Sequence, residues 1–326
     1  MSAPPDVVDL AERRAAARVA KDFATADTLR DELAALGWTV VDAPGGYELV
    51  PLATDDGPGP VDAADVEDVL GEPATAAASV HWVCEGWPED IDRAVAAFSA
   101  RTPSGGVQLV VADVTGQPAD RWGDDVEVVS LVEGTGWAAA RNAGLRRARG
   151  EIVLAVDGSV EPIGDWFAPL AAALEDPALG IAGPFGIVTS DLRQFDEAPG
   201  PGPCDAVEGY LMAFRRATLA AVGGFDEKFR WYRTADIEWS FRVKDAGFRC
   251  EVVDVPVTKH ALRMWFETDP ATRAKWSKRN FYRFLDRWRD RWDLVLSGPP
   301  DAHDHGDHHD HDDDDRGGPV TLPEGR

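Results

Sequence analysis

Between residues 78 and 265 the chain alternates short apolar runs with helical patterns, and this alternation most constrains its fold. Ser79-Val-His-Trp-Val-Cys84, Val107-Gln-Leu-Val-Val-Ala112, Val126-Glu-Val-Val-Ser-Leu131 and Glu151-Ile-Val-Leu-Ala-Val156 read as strands. Helical patterns separate them, one opening at Pro88 and running through Phe98, another over 137–148. Apolar strands alternating with helices at a ~25-residue repeat predict βαβ units and a parallel α/β sheet with right-handed crossovers. A helix over Trp166–Leu174, a strand near Ile181 and a compact mixed half to about His260 follow. Helical patterning with Trp276, Phe281, Phe284, Leu285, Trp288 and Trp292 then runs to about Leu296.

Ligands in open α/β sheets bind just past the carboxyl ends of the strands. Asp157 stands there, after the run 151–156, and Asp113 ends the run 107–112. The helix Gly136-Trp-Ala-Ala-Ala-Arg141-Asn142-Ala-Gly144 leads into the first of these strands. Helix starts favour anions, which makes Arg141 and Asn142 candidates for a phosphate-bearing ligand. Asp236 opens another helical stretch, where an acid either caps the helix or acts as a base.

The order of these segments resembles family 2 glycosyltransferases over roughly residues 78–290. The pattern ARNxG, then GExxxxxD, is met by Arg141, Asn142, Gly144, Gly150, Glu151 and Asp157. Val207-Glu208-Gly209-Tyr-Leu-Met-Ala213 is similar to the acceptor-side segment, and Ala235-Asp236-Ile-Glu238-Trp-Ser-Phe-Arg242 to the ED-x-D-L-x-x-R motif. The resemblance implies a GT-A fold, Rossmann-like, with a mixed sheet and flanking helices. It implies inverting transfer of a sugar from a nucleotide-sugar donor, UDP-type, to an acceptor hydroxyl. Asp236 would be the catalytic base. Asp113, Arg141, Asn142 and Asp157 would bind the donor, and Glu208, Gly209 and Glu238 would lie on the acceptor side. Asp157, Ser159 and His260 would hold a divalent metal, Mn²⁺ or Mg²⁺.

Four departures from the pattern stand out. Ser159 replaces the second acid of Asp-x-Asp, Ala235 replaces the leading Glu and Glu238 the second Asp of the later motif, and Cys84-Glu-Gly-Trp87 replaces a Pro-x-Tyr/Phe-Asn loop. A serine oxygen binds Mg²⁺ more weakly than a carboxylate. These departures keep open a second reading, a nucleotide-sugar-binding protein without turnover.

Residues 1–53 form a separate expected unit. Val7, Leu10 and Ala11 mark one helical stripe, and Phe23, Ala26, Leu29, Leu33 and Leu36 a second. Gly37 closes the second helix, Trp38–Val41 and Tyr47–Val50 read as strands, and Pro44-Gly45-Gly46 as their turn. This small helical hairpin with a β-ribbon resembles the C-terminal end of bacterial cysteinyl-tRNA synthetases, through Lys21-Asp22-Phe23, Ala26-Asp27, Leu29–Leu33, Gly37 and Asp42-Ala-Pro44-x-Gly46. The synthetase nucleotide motifs HIGH and KMSKS are absent. Residues 6–52 hold nine acids against five bases, a poor footprint for RNA, so an RNA-associated role is the weakest of three readings. Residues 54–77 read as a linker in which Val61–Leu70 could make a short helix, 78–297 as the transferase domain, and 298–326 as a disordered Asp/His-rich tail.

A net charge of −25 disfavours nucleic acid partners. Cys84, Cys204 and Cys250 are too few and too scattered for a disulfide framework, which points to a reducing compartment. The N-terminus lacks signal-peptide order and no apolar run reaches the ~18 residues of a membrane helix. The expected location is the cytoplasm.

Overall fold

The computed structural model describes residues 3–43, 46–51 and 59–299. The tail, and the turn residues 44 and 45, lie outside the described residues. The chain divides into two compact units, Met1–Gly59 and Pro60–Arg326.

In the first unit, α1 (Pro5–Val19) begins on a proline, whose missing N–H is no loss in a first turn. The next helix, α2 (Phe23–Ala35), is capped by Asp22, which accepts the Thr25 N–H at 3.1 Å. Gly37, at φ +76°, turns the chain into an antiparallel pair, β1 (Trp38–Ala43) and β2 (Gly46–Pro51). Val7, Ala11, Leu33 and Trp38 form its core. Phe23 and Leu36, expected on the buried stripe, are 61% and 48% exposed. They stand at the two ends of α2, beyond the reach of that core.

The second unit begins with Val61 bridged in parallel to Leu131, and only Ala63–Asp65 forms a single 3-10 turn in the stretch where a helix was expected. Val61 spends its backbone groups on sheet-like bonds to Ser130 and Val132, so no helix forms through it. The α/β alternation then follows as β3 (Ala76–Cys84), α3 (Pro88–Ser99), β4 (Val107–Asp113), β5 (Val126–Ser130), α4 (Trp137–Arg146) and β6 (Gly150–Val156). After these come β7 (Val160–Pro162), α5 (Phe167–Ala173), β8 (Leu179–Gly183), β9 (Gly186–Val188), β10 (Asp196–Glu197), β11 (Gly202–Pro203) and β12 (Ala206–Val207). The remaining elements are β13 (Leu211–Arg215), α6 (Arg216–Val222), α7 (Ala235–Asp245), β14 (Arg249–Val252), β15 (Val257–Lys259), α8 (Arg263–Glu267) and α9 (Pro270–Trp288).

Eight strands form one mixed sheet in the order β11-β14-β8-β13-β6-β3-β4-β5. Strands β6, β3, β4 and β5 are parallel, while β13 runs antiparallel between β6 and β8. Both faces of β3 are covered, which is why it reads as a continuous apolar run rather than an alternation. On one face Trp82 meets Phe98 edge-on at 5.4 Å, and Phe98 meets Trp166 at 5.2 Å. On the other, Phe214, Phe225 and Trp239 pack against one another beside Trp137. Close approach of backbones demands Gly150, where a Cβ would lie 2.2 Å from the Ala78 carbonyl carbon. The carboxyl ends of the parallel strands come into register as Cys84, Asp113 and Ser130, with Val156 ending β6. Asp157 follows directly at this edge. The three cysteines are buried and free.

Candidate functional site

A cleft opens beside Asp157 at the carboxyl end of β6. Asp157, Glu208, Gly209 and Asp236 all line it. Helix α7 starts at Ala235 with Thr234 at its N-cap, so Asp236 sits in the first turn rather than at the cap. Its Oδ2 accepts the Gly209 N–H at 2.7 Å and its Oδ1 accepts the Ile237 N–H at 2.9 Å. A Cβ on Gly209 would come within 3.3 Å of that carboxylate, so glycine is what admits it against the backbone. Burial raises the Asp236 pKa, and the two N–H donors oppose the rise.

Asp157 donates its backbone N–H to the Tyr210 carbonyl at 3.0 Å, and its Oδ1 accepts the Ser159 N–H at 2.8 Å. Burial raises its pKa too. Glu208 is pushed up to about 7, first by burial and then by the charge of Asp236, with Lys259 acting against both. Near neutral pH the cleft therefore presents, in Glu208, a carboxyl that exchanges protons readily, beside two acids whose pKa burial also raises.

Other expected residues fall elsewhere. Asp113 is fully buried, and its carboxylate accepts hydrogen bonds from Thr115 N, Thr115 Oγ1 and Gln117 N at 3.0, 2.6 and 2.7 Å. These bonds shape the loop after β4, and Asp113 does not line the cleft. Arg141, of the ARN segment, does not line the cleft. Its guanidinium lies beneath the sheet's carboxyl edge, donating to the carbonyls of His81 at 2.6 Å and Val156 at 3.0 Å. Asn142 bonds both backbone groups of Phe225, at 2.8 and 2.7 Å. Both side chains tie elements together. Glu238, expected on the acceptor side, turns away to a buried ion pair with Arg242 at 3.0 Å and Arg287 at 3.1 Å.

The expected metal set also fails to converge. Ser159 is buried with its hydroxyl lacking a partner, and His260 reaches Glu161 at 2.7 Å. Among the described residues no group of three or more His, Cys, Asp or Glu is placed to hold a metal ion. Only Asp157 offers an anionic oxygen from the expected set, and the residues present do not fit a resident divalent metal.

Five residues at or near the cleft carry no expectation from the sequence. Arg233 and Lys259 line the cleft, together with Tyr210 and Tyr232. Glu85, just past β3, is pushed up to about 8 by burial and by Asp157, against the pull of Arg141. It follows Cys84 in a loop held at positive φ by Gly86 and Trp87, in the segment where the sequence departs from the glycosyltransferase pattern.

Residues 111–238 match the family model of Glycosyl transferase family 2, and residues 2–47 that of the cysteinyl-tRNA ligase anticodon binding domain. A cysteine–tRNA ligase of Opitutus terrae is 58% identical over 48 residues, 15% of this chain and 10% of that protein. An N-acetylglucosaminyl-diphospho-decaprenol L-rhamnosyltransferase of Mycobacterium tuberculosis is 27% identical over 184 residues, 56% of this chain and 58% of that protein. Among solved structures, GalNAc-T7 with UDP, GalNAc and Mn²⁺ superposes with a TM-score of 0.54 at 19% identity, covering 66% of this chain and 48% of that one. The chain thus spans a tenth of one curated relative and just over half of the other. The larger unit has a GT-A-like fold and holds a segment similar to family 2 glycosyltransferases. The smaller begins the chain as a cysteinyl-tRNA-synthetase-like segment. No helix among the described residues is long and apolar enough to cross a membrane.

Proposed function

We propose that this chain is an inverting glycosyltransferase acting on a nucleotide-sugar donor, UDP-type, and an acceptor hydroxyl. The observation that carries the reading is the meeting of Asp157 and Asp236 in one cleft, both inside the segment of family 2 likeness. Asp157 at the strand end would hold donor hydroxyls. Asp236 would take the proton of the acceptor O–H as that oxygen attacks the anomeric carbon. The bond from that carbon to the diphosphate oxygen breaks, its electron pair leaves with the diphosphate, and the configuration inverts. Glu208 and Gly209 lie on the acceptor side, where the Gly209 N–H fixes the base. The three free cysteines accord with a cytoplasmic location.

A second reading, donor binding without turnover, is favoured by Ser159 and Ala235, which stand where the family pattern has acids. One experiment separates the two. UDP-, GDP- and dTDP-sugars are offered with a panel of hydroxyl acceptors, and nucleoside diphosphate release and donor binding are measured together. Release above the Asp236→Asn background supports the transferase; binding without release across the panel supports the second reading. We assign the N-terminal unit a docking role without nucleic acid, because its acidic balance opposes a phosphate backbone.

A further inference from the structure

Glycosyl transfer leaves a diphosphate whose negative charge must be met, and the cleft holds two cations that the chemistry above does not use. Arg233 stacks over Trp265, its guanidinium carbon 4.6 Å from the ring centroid. The ammonium of Lys259 lies 4.1 Å over Tyr210 and 4.9 Å over Phe185. Arg273 fixes this wall from behind by donating to the Trp265 carbonyl at 2.7 Å. Among the described residues neither Arg233 nor Lys259 forms an ion pair, although Asp157, Glu197, Glu208 and Asp236 line the same cleft. A cation held on an aromatic face keeps its N–H donors for a ligand.

Two hydroxyls stand with them. Thr234 lines the cleft at 2% exposure, its Oγ1 without a hydrogen-bond partner, on backbone at φ +71° that a threonine rarely adopts. The Tyr232 hydroxyl, in the same wall, is also buried without a partner. A buried polar group left unpaired is costly, and two such hydroxyls on the wall of one cleft are placed to donate to a ligand with acceptor oxygens. Two cations and two hydroxyl donors match phosphate oxygens. The neighbouring carboxyls oppose an anion less than their number suggests, since Glu208 is pushed up to about 7 and burial raises Asp157 and Asp236.

We propose that Arg233, Lys259 and the hydroxyls of Thr234 and Tyr232 form a diphosphate subsite that neutralises a nucleoside diphosphate leaving group where the residues present do not fit a divalent metal. This rests on the transferase reading for its role, and on the geometry of the cleft wall for its ligand.

The test is calorimetric titration of the full chain with inorganic pyrophosphate, and separately with UDP, in the presence of EDTA. Wild type binds pyrophosphate, and Arg233→Gln combined with Lys259→Gln weakens binding at least tenfold. Arg233→Lys with Lys259→Arg, which keeps both charges, recovers most of it, and unchanged thermal melts of both variants exclude unfolding. A parallel loss for UDP assigns the phosphates to the donor. A loss for pyrophosphate with UDP unchanged assigns them to a phosphorylated acceptor and overturns the leaving-group role. Pyrophosphate affinity unaltered by the double glutamine change, or binding that requires added Mn²⁺, overturns the subsite. Pyrophosphate binding without transfer to any acceptor leaves the subsite standing and removes the transferase reading. Transfer undiminished in the double variant does the reverse.

Discussion

Replacing Asp236 with asparagine tests the chemistry at its centre. Asparagine keeps the size of the side chain and one carbonyl oxygen, which can still accept the Gly209 N–H now bonded at 2.7 Å. Its amide cannot accept from Ile237, so one backbone hydrogen bond is lost at about 1 kcal/mol. Against this, burial raises the Asp236 pKa, so the folded state holds the protonated acid better than the unfolded chain does. That contribution is present at low pH and is lost as pH rises through the folded pKa. A neutral asparagine escapes the loss, so the two effects oppose each other near neutral pH, and the hydrogen bond limits the destabilisation to about 1 kcal/mol. The rate has no such compensation. Loss of a general base slows the chemical step by about 10²–10⁴, or ~2.7–5.5 kcal/mol of barrier. Nucleoside diphosphate release at saturating donor measures it, with donor affinity from calorimetry changing less than about threefold, a small step on a scale where tenfold is 1.4 kcal/mol. In wild type kcat rises with pH through a pKa above the usual carboxylate range, because burial is the leading influence on Asp236. The variant lacks that limb. Turnover within tenfold of wild type, or an ascending limb that survives the substitution, would refute Asp236 as the base.

Four further outcomes follow from the geometry. Asp157→Ala weakens UDP-sugar binding about tenfold, while relief of a buried acid is set against the loss of the Ser159 N–H bond and of a charge beside Arg141, so stability changes by no more than about 1–3 kcal/mol; calorimetry and a thermal melt read both. Arg141→Ala strands the carbonyls of His81 and Val156 and costs about 3 kcal/mol in urea unfolding, showing as lost stability rather than as a selective loss of donor affinity. Gly150→Ala sets a Cβ 2.2 Å from the backbone of β3, so the urea midpoint should fall by the equivalent of about 3 kcal/mol, the upper end of ordinary overpacking. A low-salt gel shift with tRNA at a series of salt concentrations should show no complex at physiological salt; a salt-sensitive, tRNA-specific band lost on deleting 1–52 would bring the RNA-associated reading forward.

Placement was readable where local pattern and position coincide. That Asp157 stands at the carboxyl edge of the sheet follows from an acid directly after an apolar strand in an α/β alternation. That Asp236 lies in the first turn of a helix follows from the pattern around it. The placement of Arg141 was not readable, since a helix start that approaches a ligand and one that passes under a sheet edge look alike in sequence. Here the small face of α4 lets the helix sink onto the strands, with Gly144 close to His81, and the guanidinium goes down with it. The misplacement of Glu238 could have been foreseen. Two residues along a helix is a turn of about 200°, so Glu238 faces away from whatever Asp236 faces. Arg233 and Lys259 gave no local signal. They meet because β15 pairs with β7, Lys259 opposite Val160, and no spacing rule announces that pairing. The antiparallel insertion of β13 between β6 and β8 was equally silent, because a strand's neighbours depend on the whole chain.

That insertion has a consequence for how the molecule is made. Strand β6 pairs with β3 on one side as soon as both exist, but its other side waits for β13, which ends at Arg215. Translation at ~5–20 residues per second takes about 3–12 s to supply the ~60 residues between them. Throughout that interval the nascent sheet presents Ile152-Val-Leu-Ala-Val156, wholly buried in the finished fold, as an open edge. Strand β8 emerges earlier than β13 yet is bonded to it in the sheet, so it offers no substitute cover. Until β13 has emerged, the nascent sheet therefore carries an unpaired apolar edge, and a pause between the emergence of the two strands would lengthen its exposure.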